Sequence, residues 1–176
     1  MKRLLLIVLS LLLIVGCSKS INEETLIDKD GLKYHPETIE LYSGKVFQDK
    51  IGDNQEFEGS YKAGKKDGLQ VWRYNNGQKK EEANYRAGKK DGLITWWYEN
   101  GQKKCESTYK AGKKDGLITW WYENGLKNCE GTYRKGKQIG LWTLWYENGQ
   151  KMWEQTFKNG KSISSKEWYI NGSFKG

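Results

Sequence analysis

The residues able to do covalent or metal chemistry are few, and their spacing limits what they can do. The only histidine is His35, beside Pro36, so a Ser-His-Asp relay and a zinc held by several imidazoles are both excluded. The three cysteines, Cys17, Cys105 and Cys129, cannot build a four-thiolate zinc site. Cys105 and Cys129 recur at the same repeat position, which would place them two strands, or roughly 9.6 Å, apart in a sheet. A disulfide requires Cα atoms within about 7 Å. They are therefore expected to be small packing residues, with an intermolecular bridge as the alternative. Gly59-(x)4-Gly64-Lys65-Lys66 and Gly131-(x)4-Gly136-Lys137-Gln138 approach a phosphate loop, but lack the magnesium-holding Ser/Thr and run into strands rather than helices. Glu82, Glu106, Glu130 and Glu154 fall opposite Val71, Thr95, Thr119 and Thr143; like-facing carboxylates with no distinct acid and base partner do not make an active site. The expectation is a protein without enzymatic activity, metal, cofactor or small-molecule substrate.

What remains is the chemistry of recognition. Trp97, Trp121 and Trp145, with Arg73 at one end, fall on one face at a fixed spacing. Tryptophan and arginine dominate interface hot spots, which makes this stripe the candidate partner-binding surface. The structural alternative is that the rings fold over a thin sheet and pair with Lys104 and its neighbours through cation-π contacts. The pairs Lys65-Lys66, Lys89-Lys90 and Lys113-Lys114 recur at equivalent turns. They are expected to form a ladder along a sheet edge, either as a solvated edge that blocks strand addition or as a surface for anionic headgroups or an acidic partner. Asp67, Asp91 and Asp115 are interleaved with them.

These side chains are positioned by a repeat. Gly64-Lys65-Lys66-Asp67-Gly68-Leu69 returns at Gly88 and again at Gly112, a period of 24, and Gly136-Lys137-Gln138-Ile139-Gly140-Leu141 keeps the register. Asn76-Gly77, Asn100-Gly101, Asn124-Gly125 and Asn148-Gly149 mark the other half of each unit; Asn171-Gly172 arrives one residue early. Asn-Gly between apolar-rich runs predicts a type I′ hairpin turn, with both central residues at positive φ. Each unit is then one hairpin, with strands at 93–99 and 102–110 and their equivalents. Trp96 faces Cys105, Trp120 faces Cys129 and Leu144 faces Trp153. This exchange of large for small keeps volume constant on a packed face that also holds Ile94, Tyr98, Ser107 and Tyr109. Trp72 opposite Glu81 breaks the rule and predicts looser packing. The other face, with Leu93, Thr95, Trp97, Lys104, Glu106 and Thr108, reads as partly wet.

The fold class expected is all-β: a single-layer, elongated antiparallel sheet of stacked hairpins with atypical ends. A chain of 176 residues with a formal charge of +8 and 21 glycines but one proline suits such an array. Residues 1–16 read as a signal peptide: Lys2 and Arg3, then an apolar run from Leu4 to Val15, too short for a helix to span a membrane, which takes about 20 residues. Removing them lowers the charge to 30 − 2 − 22 = +6. Ile14-Val15-Gly16-Cys17 resembles a bacterial lipobox, with Cys17 as the lipidated residue, 17–28 as a tether, 29–58 as a degenerate cap and 59–176 as the repeats. Ser18 and Lys19 carry no inner-membrane retention aspartate. The expected location is the bacterial cell envelope, anchored by lipid, with the outer membrane favoured in a Gram-negative cell. An exported protein is not expected to meet nucleic acid.

The segment Gly92 to Asp115, Gly-Leu-(x)3-Trp-Tyr-Glu-Asn-Gly-Gln-Lys-Lys-(x)-Glu-(x)2-Tyr-Lys-(x)-Gly-Lys-Lys-Asp, resembles the MORN repeat variant of bacterial proteins grouped as YwqK-type antitoxins. The likeness runs from about Gly59 to Gly176; Asp30-Gly31-Leu32 and Leu41 to Phe47 resemble the degenerate opening of that group. It implies an elongated twisted sheet of hairpins that binds other proteins or membranes, and a protein partner such as a toxin. The lipobox departs from the group's cytoplasmic picture. It leaves a partner-binding, immunity-like envelope lipoprotein as the leading expectation and a headgroup-binding, envelope-organising module as the second.

Overall fold

A computed structural model describes residues 20–48 and 56–176 of the chain. The segment 1–16 expected to be a signal peptide and Cys17, the expected lipidation site, lie outside the described residues. One open 13-stranded sheet carries the repeats. From Gly44–Gln48 through Phe57–Lys62, Gly68–Arg73, Lys79–Arg86, Lys89–Trp97, Lys103–Lys110, Lys113–Trp121, Lys127–Arg134, Lys137–Trp145, Lys151–Lys158 and Lys161–Glu167, every strand pairs antiparallel with the next in the chain. This is the all-β, single-layer array of hairpins expected. The first strand of a unit starts earlier than expected, at Lys89, and ends at Trp97 rather than Glu99.

Two kinds of turn alternate, and the type I′ geometry expected at Asn-Gly is found at the other one. At Ala87-Gly88 and Ala111-Gly112 both residues have positive φ (49° and 79°; 49° and 84°), and Arg86 pairs Lys89 directly. That is the type I′ hairpin turn. At Asn100-Gly101 only the glycine is left-handed, at φ 85°. Gly101 N–H donates to Tyr98 O at 3.0 Å and Tyr98 N–H to Gln102 O at 2.8 Å, the pattern of a three-residue loop closed by a glycine bulge. The type I′ reading of Asn-Gly is thus corrected. The asparagine is used for its side chain: Asn100 Oδ1 accepts from Gln102 N–H at 2.9 Å while its Nδ2 donates to Glu123 O of the next hairpin at 3.3 Å. A register shift between Lys103 and Cys105 absorbs the odd residue, so Trp96 still faces Cys105, Thr95 faces Glu106 and Ile94 faces Ser107.

The pairing lays the side chains in rows across the sheet. One row of the packed face runs Phe57, Trp72, Glu81, Trp96, Cys105, Trp120, Cys129, Leu144, Trp153. The row beside it runs Gln70, Ala83, Ile94, Ser107, Ile118, Gly131. Large and small residues alternate because a single layer can bury a side chain only under its neighbours. Ala83 and Ile94 reach 0% exposure in this way. At Gly131 a Cβ would collide with the Trp142 ring, which takes the place held by isoleucine in the two preceding units. Trp142, Ile118 and Cys105 form one buried cluster, joined by Trp96, Cys129, Tyr133, Trp153 and Phe157. The looseness expected at Glu81 is taken up: its carboxylate meets Lys90 Nζ at 2.8 Å, and Trp72 packs on Phe57 with ring centroids 5.0 Å apart.

A second buried cluster closes the N-terminal end, from Leu26, Tyr42, Val46, Phe57 and Tyr61 with Ile21 against it. Here the expected tether is corrected: from Ile21 onward the chain belongs to the fold. Ile21–Asn22 pairs in parallel with Val46 and Phe47, and Glu23 accepts a hydrogen bond from the Tyr61 hydroxyl. Ile21 and Leu26 supply the apolar surface that a freely solvated linker would lack. Ile27–Lys29 and Leu32–Tyr34 make a separate two-stranded sheet. At the other end, Lys161–Glu167 is exposed along its whole length, and Trp168 bridges to Phe174.

Candidate binding faces of the repeat sheet

The motif Trp-Tyr-Glu-Asn-Gly builds the scaffold of both faces. The hydroxyls of Tyr74, Tyr98, Tyr122 and Tyr146 donate to the backbone oxygens of Trp97, Trp121, Trp145 and Trp168 at 2.7, 2.8, 2.7 and 3.0 Å. Asn76, Asn124 and Asn148 repeat the reach of Asn100 toward the following turn at 2.9 to 3.0 Å. Burial raises the phenol pKa of Tyr74 and Tyr98 above the ordinary value. Each hairpin is therefore bolted to the next by side chains as well as by the ladder. Nothing in the alternation of apolar and polar residues announced these bonds, but their recurrence at fixed positions could have.

On the Thr/Glu face the structure brings Trp97, Trp121 and Trp145 into one row, each half-buried. Lys79, Lys103 and Lys127 lie over these rings at 5.5, 6.0 and 5.7 Å. The same lysines pair with Glu82, Glu106 and Glu130, at 2.6 Å in the latter two cases. The lysine partner is thus the residue after the turn rather than Lys104, which lies 5.4 Å over Tyr98. Arg73 begins the row, its guanidinium between Glu56 at 3.5 Å and the Gly77 carbonyl at 3.3 Å. Trp168 under Lys151 extends it by one member that the sequence reading missed. Thr95, Thr119 and Thr143 lie beneath the lysine–glutamate arches and are buried, so this face is drier at its centre than expected.

Alongside runs a second feature missed as a candidate, the leucines that follow each Asp-Gly or Ile-Gly. Leu69, Leu93, Leu117 and Leu141 face Asn84, Thr108, Thr132 and Thr156 and remain 46 to 56% exposed. The signal was their recurrence on the same face as the tryptophans.

The lysine pairs are split between two environments. Lys65, Lys89 and Lys113 are exposed at the type I′ turns, and the turns stack: a Cβ at Gly88 would touch Lys65 and one at Gly112 would touch Lys89, at 3.6 and 3.7 Å. Asp67 and Asp91 are spent within this edge, accepting from the backbone N–H of Ala87 and Ala111 at 3.0 and 3.1 Å. Lys66, Lys90 and Lys114 instead turn onto the aromatic face. Lys66 lies over Phe57 and Trp72 at 4.9 and 5.0 Å, and burial lowers its pKa. Lys90 lies over Trp96 at 5.0 Å and Lys114 over Tyr133 at 5.0 Å.

Both described cysteines carry free thiols. Burial pushes the Cys105 thiol up to about 12 and that of Cys129 to about 11, which disfavours the thiolate a nucleophile or metal ligand needs. Among the described residues no group of three or more His, Cys, Asp and Glu side chains could hold a metal ion.

Fold and faces together define an open antiparallel sheet of hairpin repeats whose regular surfaces suit recognition. The family profile described as MORN repeat variant matches this chain over residues 66–87, 90–111 and 138–159. The three spans begin at the same point of the hairpin, the second one period after the first and the third two periods after that. No curated protein matches the chain.

Proposed function

We propose that this is a non-enzymatic lipoprotein of the bacterial envelope that captures a protein partner on its repeat sheet. MORN repeats commonly serve as protein- or membrane-binding modules. The observation that carries the choice of a protein is the juxtaposition, on one face, of the row Arg73, Trp97, Trp121 and Trp145 with the exposed leucines 69, 93, 117 and 141. Contiguous exposed apolar surface marks interaction sites, and tryptophan with arginine supplies anchors. The resemblance to the antitoxin group gives the reading its narrower form, an immunity-like factor whose partner is a toxin, acting from a lipid anchor at Cys17.

The exposed lysines 65, 89 and 113 favour a second reading, an envelope-organising module held on anionic headgroups. One set of proteins separates the two. Cys17→Ala protein, freed of its anchor, should capture a partner from envelope extract and ignore anionic liposomes. Adding Trp97, Trp121 and Trp145→Ser should abolish capture while leaving a cooperative melt. Trp96 and Trp120→Ser should lower stability by about 2 to 3 kcal/mol, since these rings cover the packed face but Trp120 keeps 37% of its surface exposed. Salt-sensitive liposome binding by the unanchored protein would give the second reading precedence, and collapse of the stripe variant would make that face structural.

A further inference from the structure

The aromatic face, opposite the proposed partner stripe, holds a cavity of about 320 Å³ between the second and third hairpins. Trp96 and Trp120 wall it, Ser107 lies at its base, and Lys80, Lys104 and Lys114 line it without any aspartate or glutamate among the lining residues. Ser107 is 1% exposed, and its Oγ has no hydrogen-bond partner among the described residues. None of the three lysines has a carboxylate within 4.0 Å among the described residues; Lys80 and Lys104 rest over Tyr74 and Tyr98 at 5.7 and 5.4 Å.

The neighbouring repeat shows what such a place accepts. One unit earlier, Lys90 occupies the position of Lys114 and Trp96 that of Trp120, and Glu81 stands where Cys105 stands here, its carboxylate 2.8 Å from Lys90. Lys114 keeps the aromatic partner of this arrangement, Tyr133 at 5.0 Å in place of Tyr109 at 5.7 Å. It lacks the acid, because Cys105 has replaced it. Nor does the hairpin demand a cation here, since Gln138 fills the equivalent position of the following unit opposite Tyr133. A lysine retained without its partner, lining the same cavity as a buried hydroxyl with no hydrogen bond of its own, is a half-built ion pair.

We propose that this cavity is a binding site for a carboxylate on a short apolar stem, the chemistry of a glutamate side chain. The carboxylate takes the place that Glu81 holds in the preceding repeat, between Lys114 and the Ser107 hydroxyl, and the stem lies between the two indole walls. Lys80 and Lys104 at the rim admit further negative charge. Two sources carry this chemistry, a free diacid of amino-acid size and an acidic residue in an extended peptide.

Two probes distinguish the sources: N-acetylglutamate, and an acetylated, amidated hexapeptide with one central glutamate among glycine and serine. The indole N–H signals of Trp96 and Trp120, assigned by Trp→Phe exchange, report occupancy by NMR. Saturable shifts with both probes at similar affinity indicate a site for the carboxylate itself; saturation by the peptide alone indicates a partner's acidic segment. Either supports the proposal, provided Lys114→Met weakens binding at least tenfold and the edge variant Lys113→Met does not. Cys105→Glu supplies the acid in cis, so it should melt no lower than wild type and lose both probes. The site is refuted if neither probe saturates, if Lys114→Met binds as well as wild type, or if Cys105→Glu melts markedly lower. Trp97 of the stripe also lines the cavity, but Lys114→Met and Cys105→Glu leave it in place, so that failure would leave the tryptophan stripe as proposed.

Discussion

At the scale of single residues, burial acts on groups that a polar, basic chain would be expected to leave in water. Cys105 and Cys129 are held as thiols up to about 12 and 11, against an ordinary value of 9.0. Tyr61, Tyr85, Tyr109 and Tyr133 are shifted upward too, with burial the largest cause. For an acid whose folded pKa is raised, the folded state binds the proton more tightly than the unfolded state. The stabilisation is therefore complete below the unfolded value and is lost as pH rises above it. Stability should be flat from pH 7 to about 9 and then fall steadily toward 12, as unfolded thiols and phenols ionise while native ones resist. Urea denaturation midpoints at pH 7, 9, 10 and 11 check this; a midpoint unchanged at pH 11 would show that these groups are not shielded. The pairing of Trp96 with Cys105 was legible in the sequence because volume exchange and register agreed. The ionic partners were not, because Lys79, Lys103 and Lys127 reach diagonally over the next tryptophan, a reach that face alternation does not encode.

At the scale of the hairpin, the period of 24 located every unit, yet the type I′ turn expected at Asn-Gly falls instead on the Ala-Gly turns. Asn-Gly is the usual sign of a type I′ turn, but here the asparagine side chain has two bonds to make, one within its own loop and one to the next hairpin. Those bonds hold it out of the left-handed region. The type I′ geometry falls on Ala63-Gly64, Ala87-Gly88 and Ala111-Gly112, where alanine takes φ of 48° to 49°. The left-handed region costs an ordinary L-residue about 1 to 2 kcal/mol, and asparagine less. The last such turn already uses Asn159, at φ 53°. Ala87→Asn and Ala111→Asn should therefore each stabilise the protein by about 0.5 to 1 kcal/mol, and together raise the melting temperature by several degrees. Ala87 and Ala111 are exposed, so no packing should oppose the gain. A thermal melt of the double variant at or below wild type would mean that the left-handed alanines carry no strain.

At the scale of the whole molecule, each hairpin contacts its neighbours in the same way, whereas the N-terminal end differs in kind. The repeats were legible because identity recurs; the cap was placed at 29–58, but its extension to Ile21 and its packing were not legible, because Ile21, Leu26 and Val46 belong to no period and their burial depends on one another. In a repeat array stability is approximately a sum of unit and neighbour terms, so an internal unit should be removable. Deleting residues 99–122 joins Tyr98 to Glu123, a dipeptide already present as Tyr98-Glu99. It sets Trp96 against Cys129 and Ile94 against Gly131, matching the native pairs Trp120 with Cys129 and Ile118 with Gly131. This shortened protein should keep the association state of the full chain and unfold cooperatively at a modestly lower temperature. Deleting residues 20–29 removes fewer residues but should be far more damaging. It uncovers Val46, Phe57 and Tyr61 and strips the Gly44–Gln48 strand of its parallel partner, leaving an unpaired apolar edge. Such an edge recruits other chains. Size-exclusion chromatography over a range of concentrations, with a melt of each variant, compares the two. The expected result is concentration-dependent association of the cap deletion alone; if the repeat deletion associates instead, the hairpins are not interchangeable and the sheet folds as one indivisible body.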